Sequence, residues 1–250
     1  MSSADWRAAE SYADLPGRSL AELAWEFLRR NPDYQRDVEL WKAGRNDSAE
    51  TWAKWGLIFP ADPDLAADAQ PIFWRPEVYP RTLVLVQAPV ASAETLRYAP
   101  RTWRGQYHER LAADGVHGLL ITAHGQFHLW SPAPITPGAP FVCAVPLGAD
   151  AASGAAALLQ FWRHLRNARQ ARERRADAKR LRVCRCLQAL DAHAAGESYR
   201  TLAIHLFGAG RVAGESWRTS SLRDATIRLV RKGLDLTNGK YRRLLRQIVD

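Results

Sequence analysis

The sequence predicts an α+β protein. Three observations predict it: a capped, aromatic-rich helical segment near the N-terminus, four short β-branched runs between positions 82 and 145, and a basic helical pair joined by glycines between Glu197 and Leu234. They arrange as a helical N-terminal part over 1–80, a small antiparallel sheet with a helix over 81–165, and a basic connector with a helix-turn-helix over 166–250.

The N-terminal helix is the clearest element. Ser19 stands three residues before Glu22, the spacing of a capping box. Leu20, Leu23, Ala24, Phe27 and Leu28 then recur on one face, and Asn31-Pro32 ends the helix. A second helix carries Tyr34, Val38 and Trp41. Trp6, Trp25, Trp41, Trp52 and Trp55 are read as core rather than base-stacking residues, because large aromatics at helical spacing fill interiors. The stretches FPADPDL and QPIFWRPEVYP set aromatics among prolines, which suits an ordered loop lying over a core.

Thr82–Val86, Val116–Thr122, Phe127–Trp130 and Phe141–Val145 read as strands of one antiparallel sheet. Asp114-Gly115 and Gly125 supply turn signals. From Ala155 the helical pattern returns, with Leu158, Leu159, Trp162 and Leu165 as its stripe. Arg166–Arg185 then holds nine basic and two acidic side chains, which reads as a solvated connector or a phosphate-facing arm. Leu181, Leu187 and Leu190 turn back to a core.

Next comes the segment ESYRTLAIHLFGAGRVAGESWRTSSLRDATIRLVRKGL. Ser198 is placed to cap a helix over Tyr199–Phe207, whose Leu202, Ala203, Leu206 and Phe207 share a face. Gly208, Gly210 and Gly214 break it. A second helix from about Thr219 to Leu234 gathers Leu222, Thr226, Leu229 and Val230 on one side and Ser221, Asp224, Arg228, Arg231 and Lys232 on the other. This is the layout of a helix-turn-helix offering a cationic helix to a DNA major groove; the alternative is a packed helical pair with a solvated basic face.

The charge distribution favours the first reading. Net charge is +9, yet Arg163–Asp250 carries +13 and the preceding 162 residues −4. A basic end on a mildly acidic body suits a polyanion at one end and a protein partner at the other.

Other chemistry is not suggested. With 47% hydrophobic and 24% charged residues the chain is globular rather than disordered. The acidic N-terminus lacks an apolar secretion core, no run is long enough to span a bilayer, and three cysteines give no disulfide framework, so a cytoplasmic protein without membrane contact is expected. His117, His124 and His128 near Cys143 are a weak zinc set because a hairpin turn separates the last two histidines. Cys184-Arg185-Cys186 lacks a second pair. There is no phosphate loop, nucleophile elbow or forced carboxylate pair, so no catalytic, metal or cofactor site is expected.

Two sets of motifs carry a resemblance. DWRAAESYADLPGRSLAELAWEFLRRNPDYQRDV, with WGLIFPADPDL and FWRPEVYP, resembles the N-terminal transcriptional regulator-like domain of bacterial mobile elements. DGVHGLLITAHGQFHLW through FWRHLR to SYRTLAIHLFG, WRTSSLRDATIRLVRKG and GKYRRLLR resembles its companion domain. The fused pair is similar to FseA-type activators of integrative and conjugative element excision, and the companion domain alone to QseM-type antiactivators. The resemblance implies activation of an excision-factor promoter and a partner that silences the regulator; the alternative is that this chain is itself the protein-binding antiactivator. Gly239-Lys240 stands where the family often has two glycines before YRRLL.

The expected partners are therefore double-stranded DNA and a protein, either RNA polymerase or an antiactivator. Ser220, Ser221, Asp224 and Arg228 are expected at the bases, with Arg228 suited to a bidentate contact to guanine and Asp224 able instead to hold Arg228 through an i,i+4 pair. Arg218, Arg223, Arg231, Lys232, Lys240, Arg242 and Arg243 are expected at phosphates.

Overall fold

The computed structural model describes residues 6–8, 10–46, 48–90, 92–123, 125–166, 178–214 and 216–246. The α+β expectation holds: helices accompany one five-stranded sheet. The described chain forms two compact units, each drawn from separated stretches of sequence.

The first unit joins helices from both ends of the chain. From the N-terminal end come α1 (Glu10–Ala13), α2 (Leu20–Leu28) and α3 (Pro32–Lys42). Ser19 forms the expected capping box: its Oγ accepts from Glu22 N at 3.2 Å, and its own N donates to Glu22 Oε2 at 2.7 Å. All five residues of the α2 stripe are buried. Asn31 does more than end the helix. Its Oδ1 accepts from the backbone N–H groups of Asp33 and Tyr34, capping α3, while its Nδ2 donates to the carbonyl of Thr237. The proline-rich segment Asp62–Ala67 belongs here too: Trp25 Nε1 donates to Leu65 O, Arg29 to Pro63 O, and Lys42 pairs with Asp62.

From the C-terminal end come α6 (Ala178–Ala194), α7 (Tyr199–Phe207), α8 (Ala209–Ala213) and α9 (Ser221–Asp235). Trp6 is buried against Ala189, Ala192, Leu202 and Val230, so a residue from the chain's beginning completes the core of the C-terminal helices. Gln188 Nε2 donates to its carbonyl, and Arg7 pairs with Glu197.

The polar link between the two ends is ionic. Arg30 on α2 donates from Nε and Nη2 to both carboxylate oxygens of Asp191 on α6, at 2.7 and 3.0 Å. Tyr12 Oη donates to the same carboxylate at 2.7 Å. Glu26, one turn before Arg30, is buried and accepts from Arg29 and Arg30. Burial alone would raise the Glu26 carboxyl; the two guanidiniums outweigh it and hold it below its ordinary value.

The second unit contains α4 (Ala49–Ala53), the sheet and α5 (Ala151–Leu165). Its strands are β1 (Leu83–Gln87), β2 (Gln106–Ala112), β3 (Gly115–Thr122), β4 (Gly125–Ser131) and β5 (Phe141–Ala144), in the order β2-β3-β4-β1-β5. The expectation of a wholly antiparallel sheet is corrected: β1 runs parallel to β4, with Leu83 opposite Leu129. A strand is also added. β2 pairs with β3 through the Asp114-Gly115 turn, and it escaped the hydrophobic pattern because it is an edge strand, QYHERLA, with no buried residue. Position 115 requires glycine twice over: φ is 130°, and a Cβ there would lie 2.2 Å from the Ser131 carbonyl oxygen.

One face of the sheet, with Leu83, Leu85, Leu120, Phe127, Leu129 and Phe141, packs on Ala157 and Phe161 of α5. On the other face His128 stacks edge-on against Tyr79, with ring centroids 4.6 Å apart. Pro-rich segments line this unit as well: Leu57 bridges to Trp74, and Trp52 and Trp74 are buried.

The ionic link predicts a pH dependence. Glu26 has a folded pKa below its ordinary 4.5, so its contribution is fully present above about 4.5 and is lost as pH falls through the lower folded value. Glu26→Gln should cost about 3 kcal/mol in denaturant unfolding at pH 7. The gap to the wild type should narrow steadily in the same measurement repeated between pH 5 and pH 3. A gap independent of pH would contradict the assignment.

Candidate nucleic-acid interface

The interface is built on how α9 rests against α6 and α7. Leu222, Thr226, Val230 and Gly233 are buried, while Ser221, Asp224, Arg228, Arg231 and Lys232 are exposed, so the amphipathic division expected from sequence is realised. Thr226, fully buried, satisfies its hydroxyl by donating to the Leu222 carbonyl at 2.8 Å. Gly233 permits the close approach to α6. A Cβ at 233 would lie 2.7 Å from the Cys186 carbonyl oxygen and 3.1 Å from Leu190 Cβ.

The segment joining α7 to α9 is more than a glycine turn. α8 occupies its centre, and Val212 inserts between Ala203 and Leu222 with Phe207 and Trp217 packed around them. Only Gly208, with φ 93°, uses the left-handed region; Gly214 has an ordinary φ of −75°. Ser198 caps α7 as expected, accepting from Thr201 N at 3.1 Å.

The structure sorts the expected contact residues. Ser220 is buried, and its Oγ accepts from Leu222 N at 3.1 Å as the cap of α9, so it is corrected from a base-facing residue to a capping one. Asp224 lies 3.6 Å from Arg223 Nη1; the i,i+4 pair to Arg228 is not formed. Among the described residues Arg228, Arg231 and Lys232 make no ion pair or hydrogen bond. Arg218 and Arg243 are exposed. Lys240 pairs with Asp235 at 2.7 Å, and the Arg242 guanidinium sits 5.3 Å from the centre of the Tyr241 ring.

The basic arm expected over Arg166–Arg185 lies largely outside the described residues, which resume at Ala178. Of its described part, Lys179, Arg182 and Arg185 are exposed, but Arg180 is fully buried and belongs to no solvated face, while Leu181 is exposed rather than core. Arg182 and Lys232 both act electrostatically on Cys186. Burial raises that thiol's pKa, and both cations oppose the rise. Arg200 on α7 and Arg211 on α8 are also exposed. Sequence reading passed over these two because each stands alone in its helix, with no local charge cluster to mark it.

Two family models match this chain. Residues 5–60 match the Proteobacterial transcriptional regulator-like domain, and residues 144–246 match the family described as T6SS, transcription factor, DNA binding domain. No curated protein matches the chain. The chain is a transcriptional regulator with a DNA-binding domain. The DNA-binding match takes in every helix from α5 through α9, including the whole basic face just described.

The weak zinc set does not assemble around Cys143. His117 Nε2 is bonded to Asp114 Oδ1 at 2.8 Å. His128 is buried, and burial pushes its pKa down to about 3, leaving a neutral ring in a core. Cys143 pairs in register with Leu85 and so lies on the α5 face, opposite His128; His124 lies outside the described residues. Among the described residues no group of three or more His, Cys, Asp or Glu could hold a metal, and no helix is long and apolar enough to cross a membrane.

Gly233→Ala should destabilise the protein by about 1–3 kcal/mol in equilibrium unfolding, because the added methyl meets backbone on α6 rather than a flexible side chain. Unchanged stability would mean that the two helices can part without cost.

Proposed function

We propose that this protein is a cytoplasmic, sequence-specific, double-stranded-DNA-binding transcriptional activator, without enzymatic activity, that controls excision or transfer of an integrative and conjugative element. The observation that carries the DNA-reading part is the exposed Ser221–Asp224–Arg228 edge of α9, flanked by Arg231 and Lys232, inside the region matched by a DNA-binding family. The helix-turn-helix reading assigns α7 as the supporting helix and α9 as the helix entering the major groove, with α8 as an insertion that lengthens the turn.

In this reading Arg228 donates two N–H groups to guanine O6 and N7, and Ser221 and Asp224 contact neighbouring base edges. Arg218, Arg223, Arg231, Lys232 and Arg243 neutralise phosphates. Lys240 and Arg242 do so after exchanging Asp235 and the Tyr241 ring for the backbone. Each such neutralisation releases a condensed counterion and so makes affinity depend on salt. The mildly acidic remainder of the chain meets the second partner, RNA polymerase or an antiactivator. The description of the DNA-binding family raises a second target, a secretion-system promoter, which the same reading helix would serve.

Duplexes selected from a random pool by the wild-type protein supply the specific site. With Arg228→Ala, band-shift titration should show discrimination between that site and random DNA reduced by about 1–3 kcal/mol, roughly fivefold to 150-fold. With Lys232→Ala, affinity should fall on both DNAs alike and the slope of log K against log salt should shrink by about 0.9. An unchanged ratio for Arg228→Ala refutes α9 as the reading helix. Mapping of bound sites across the host genome separates an excision-factor promoter from a secretion promoter, and capture of a protein without DNA affinity at moderate salt would favour the antiactivator.

A further inference from the structure

The sheet unit contains a cleft of about 500 Å³ that the DNA-binding reading does not use. This volume falls in the range of small-molecule sites, roughly 300–1,000 Å³. Its walls are mostly apolar: Val116 on β3, and Pro134, Ile135 and Pro137 from the loop after β4. At one side stands Glu109 of the edge strand β2. Its Oε2 accepts from two tyrosine hydroxyls at once, Tyr98 at 3.0 Å and Tyr107 at 2.9 Å. The two phenols also approach each other, with Oη atoms 3.2 Å apart. Burial, first of all, raises both tyrosines, and the Tyr98 hydroxyl reaches about 12, so both are neutral donors at physiological pH.

The charge balance of this cluster is incomplete. Glu109 is engaged only through Oε2, and among the described residues it makes no salt bridge. Arg110, its neighbour, points to the opposite face of the strand and lies over the Phe59 ring at 4.0 Å. Two hydroxyls therefore fix one carboxylate oxygen and leave Oε1 with capacity to accept. Of the two tyrosines, Tyr98 also lines the cleft. Arg101 also lines the cleft, but it forms no ion pair with Glu109, and apolar walls next to a carboxylate oriented by two phenols suit one ligand chemistry above others.

We propose that this cleft binds a small organic ammonium, its charged head on Glu109 Oε1 and its apolar body against Val116, Ile135 and the prolines. Glu109 is the charged group held in place by hydrogen bonds, so it repels a carboxylate seated beside it, whereas the exposed Arg101 has no such anchor among the described residues; a purely apolar ligand leaves the carboxylate unpaired. The site does not depend on whether α9 reads DNA.

The test uses the full chain and 2-phenylethylamine as probe, with the neutral 2-phenylethanol as its comparison, by titration calorimetry at pH 7. The amine should bind at least tenfold more tightly than the alcohol. Glu109→Gln keeps an acceptor for the tyrosines but removes the charge; it should abolish the preference while leaving the melting temperature unchanged, as befits an exposed position. Val116→Trp, which narrows the cleft and keeps the Glu109 charge, should weaken amine and alcohol alike. Equal binding of the two probes, no binding of either, or an amine preference that survives Glu109→Gln overturns the proposal. None of these outcomes bears on promoter or operator binding.

Discussion

The bidentate pairing of Arg30 with Asp191 is the constraint on which the helical unit depends. A planar guanidinium meeting both oxygens of one carboxylate fixes direction as well as distance. Here it joins α2, near the N-terminus, to α6 across 161 positions of sequence. Glu26 behind Arg30 and Tyr12 beside Asp191 satisfy further sites of the pair, so the charges are removed from water without being left uncompensated. Such a cluster need not add more stability than a well-packed apolar one would. Its effect is to admit one arrangement: sliding α2 along α6 by a turn would strand several buried charges.

From α6 the constraint passes to the basic face. α6 carries Asp191 on one side and meets Gly233 of α9 on another, where helix backbones approach closely. The placement of Arg228, Arg231 and Lys232 therefore depends on residues within the first thirty positions of the chain. Trp6 reinforces this by packing in the core of α6, α7 and α9. Asn31 does so by donating to Thr237 just beyond α9. The regulator-like segment and the DNA-binding helices share one hydrophobic interior, which gives a physical reason for the two to occur in one chain.

Local features of the fold were legible in the sequence because local chemistry determines them. The capping box at Ser19 and Glu22, the α2 stripe, the cap at Ser198 and the two faces of α9 all rest on residues within a few positions of one another. What depended on distant partners was not legible. β1 lies parallel to β4 because β2 and β3 intervene in sequence but not in space, and β2 itself hides its period by having no buried side. Arg180 sits in a run of cations that looks uniformly solvated, yet helix geometry turns it inward while Arg182 and Arg185 face out. Ser220 belonged to a polar run in which pattern alone could not separate the capping serine from its exposed neighbour Ser221. The pairing of Arg30 with Asp191, across 161 positions, leaves no mark in either local pattern.

The state of the individual cations bears on how the face could engage a polyanion. Some are already paired: Arg223 with Asp224 at 3.6 Å, and Lys240 with Asp235 at 2.7 Å, in each case with both side chains about half exposed. Exposed pairs of this kind hold with only about 0–1 kcal/mol, because solvent screens the attraction and ordering two long side chains costs entropy. A phosphate can replace such a partner at little cost. Arg228, Arg231 and Lys232 have no partner to surrender among the described residues. They lie on one helix, exposed together, where like charges raise the local potential. An interface with both classes need not break any pair to make first contact. The unpaired cations can hold a polyanion at the helix while the paired ones exchange afterwards, so the order of events follows from the arrangement of charge on α9 itself.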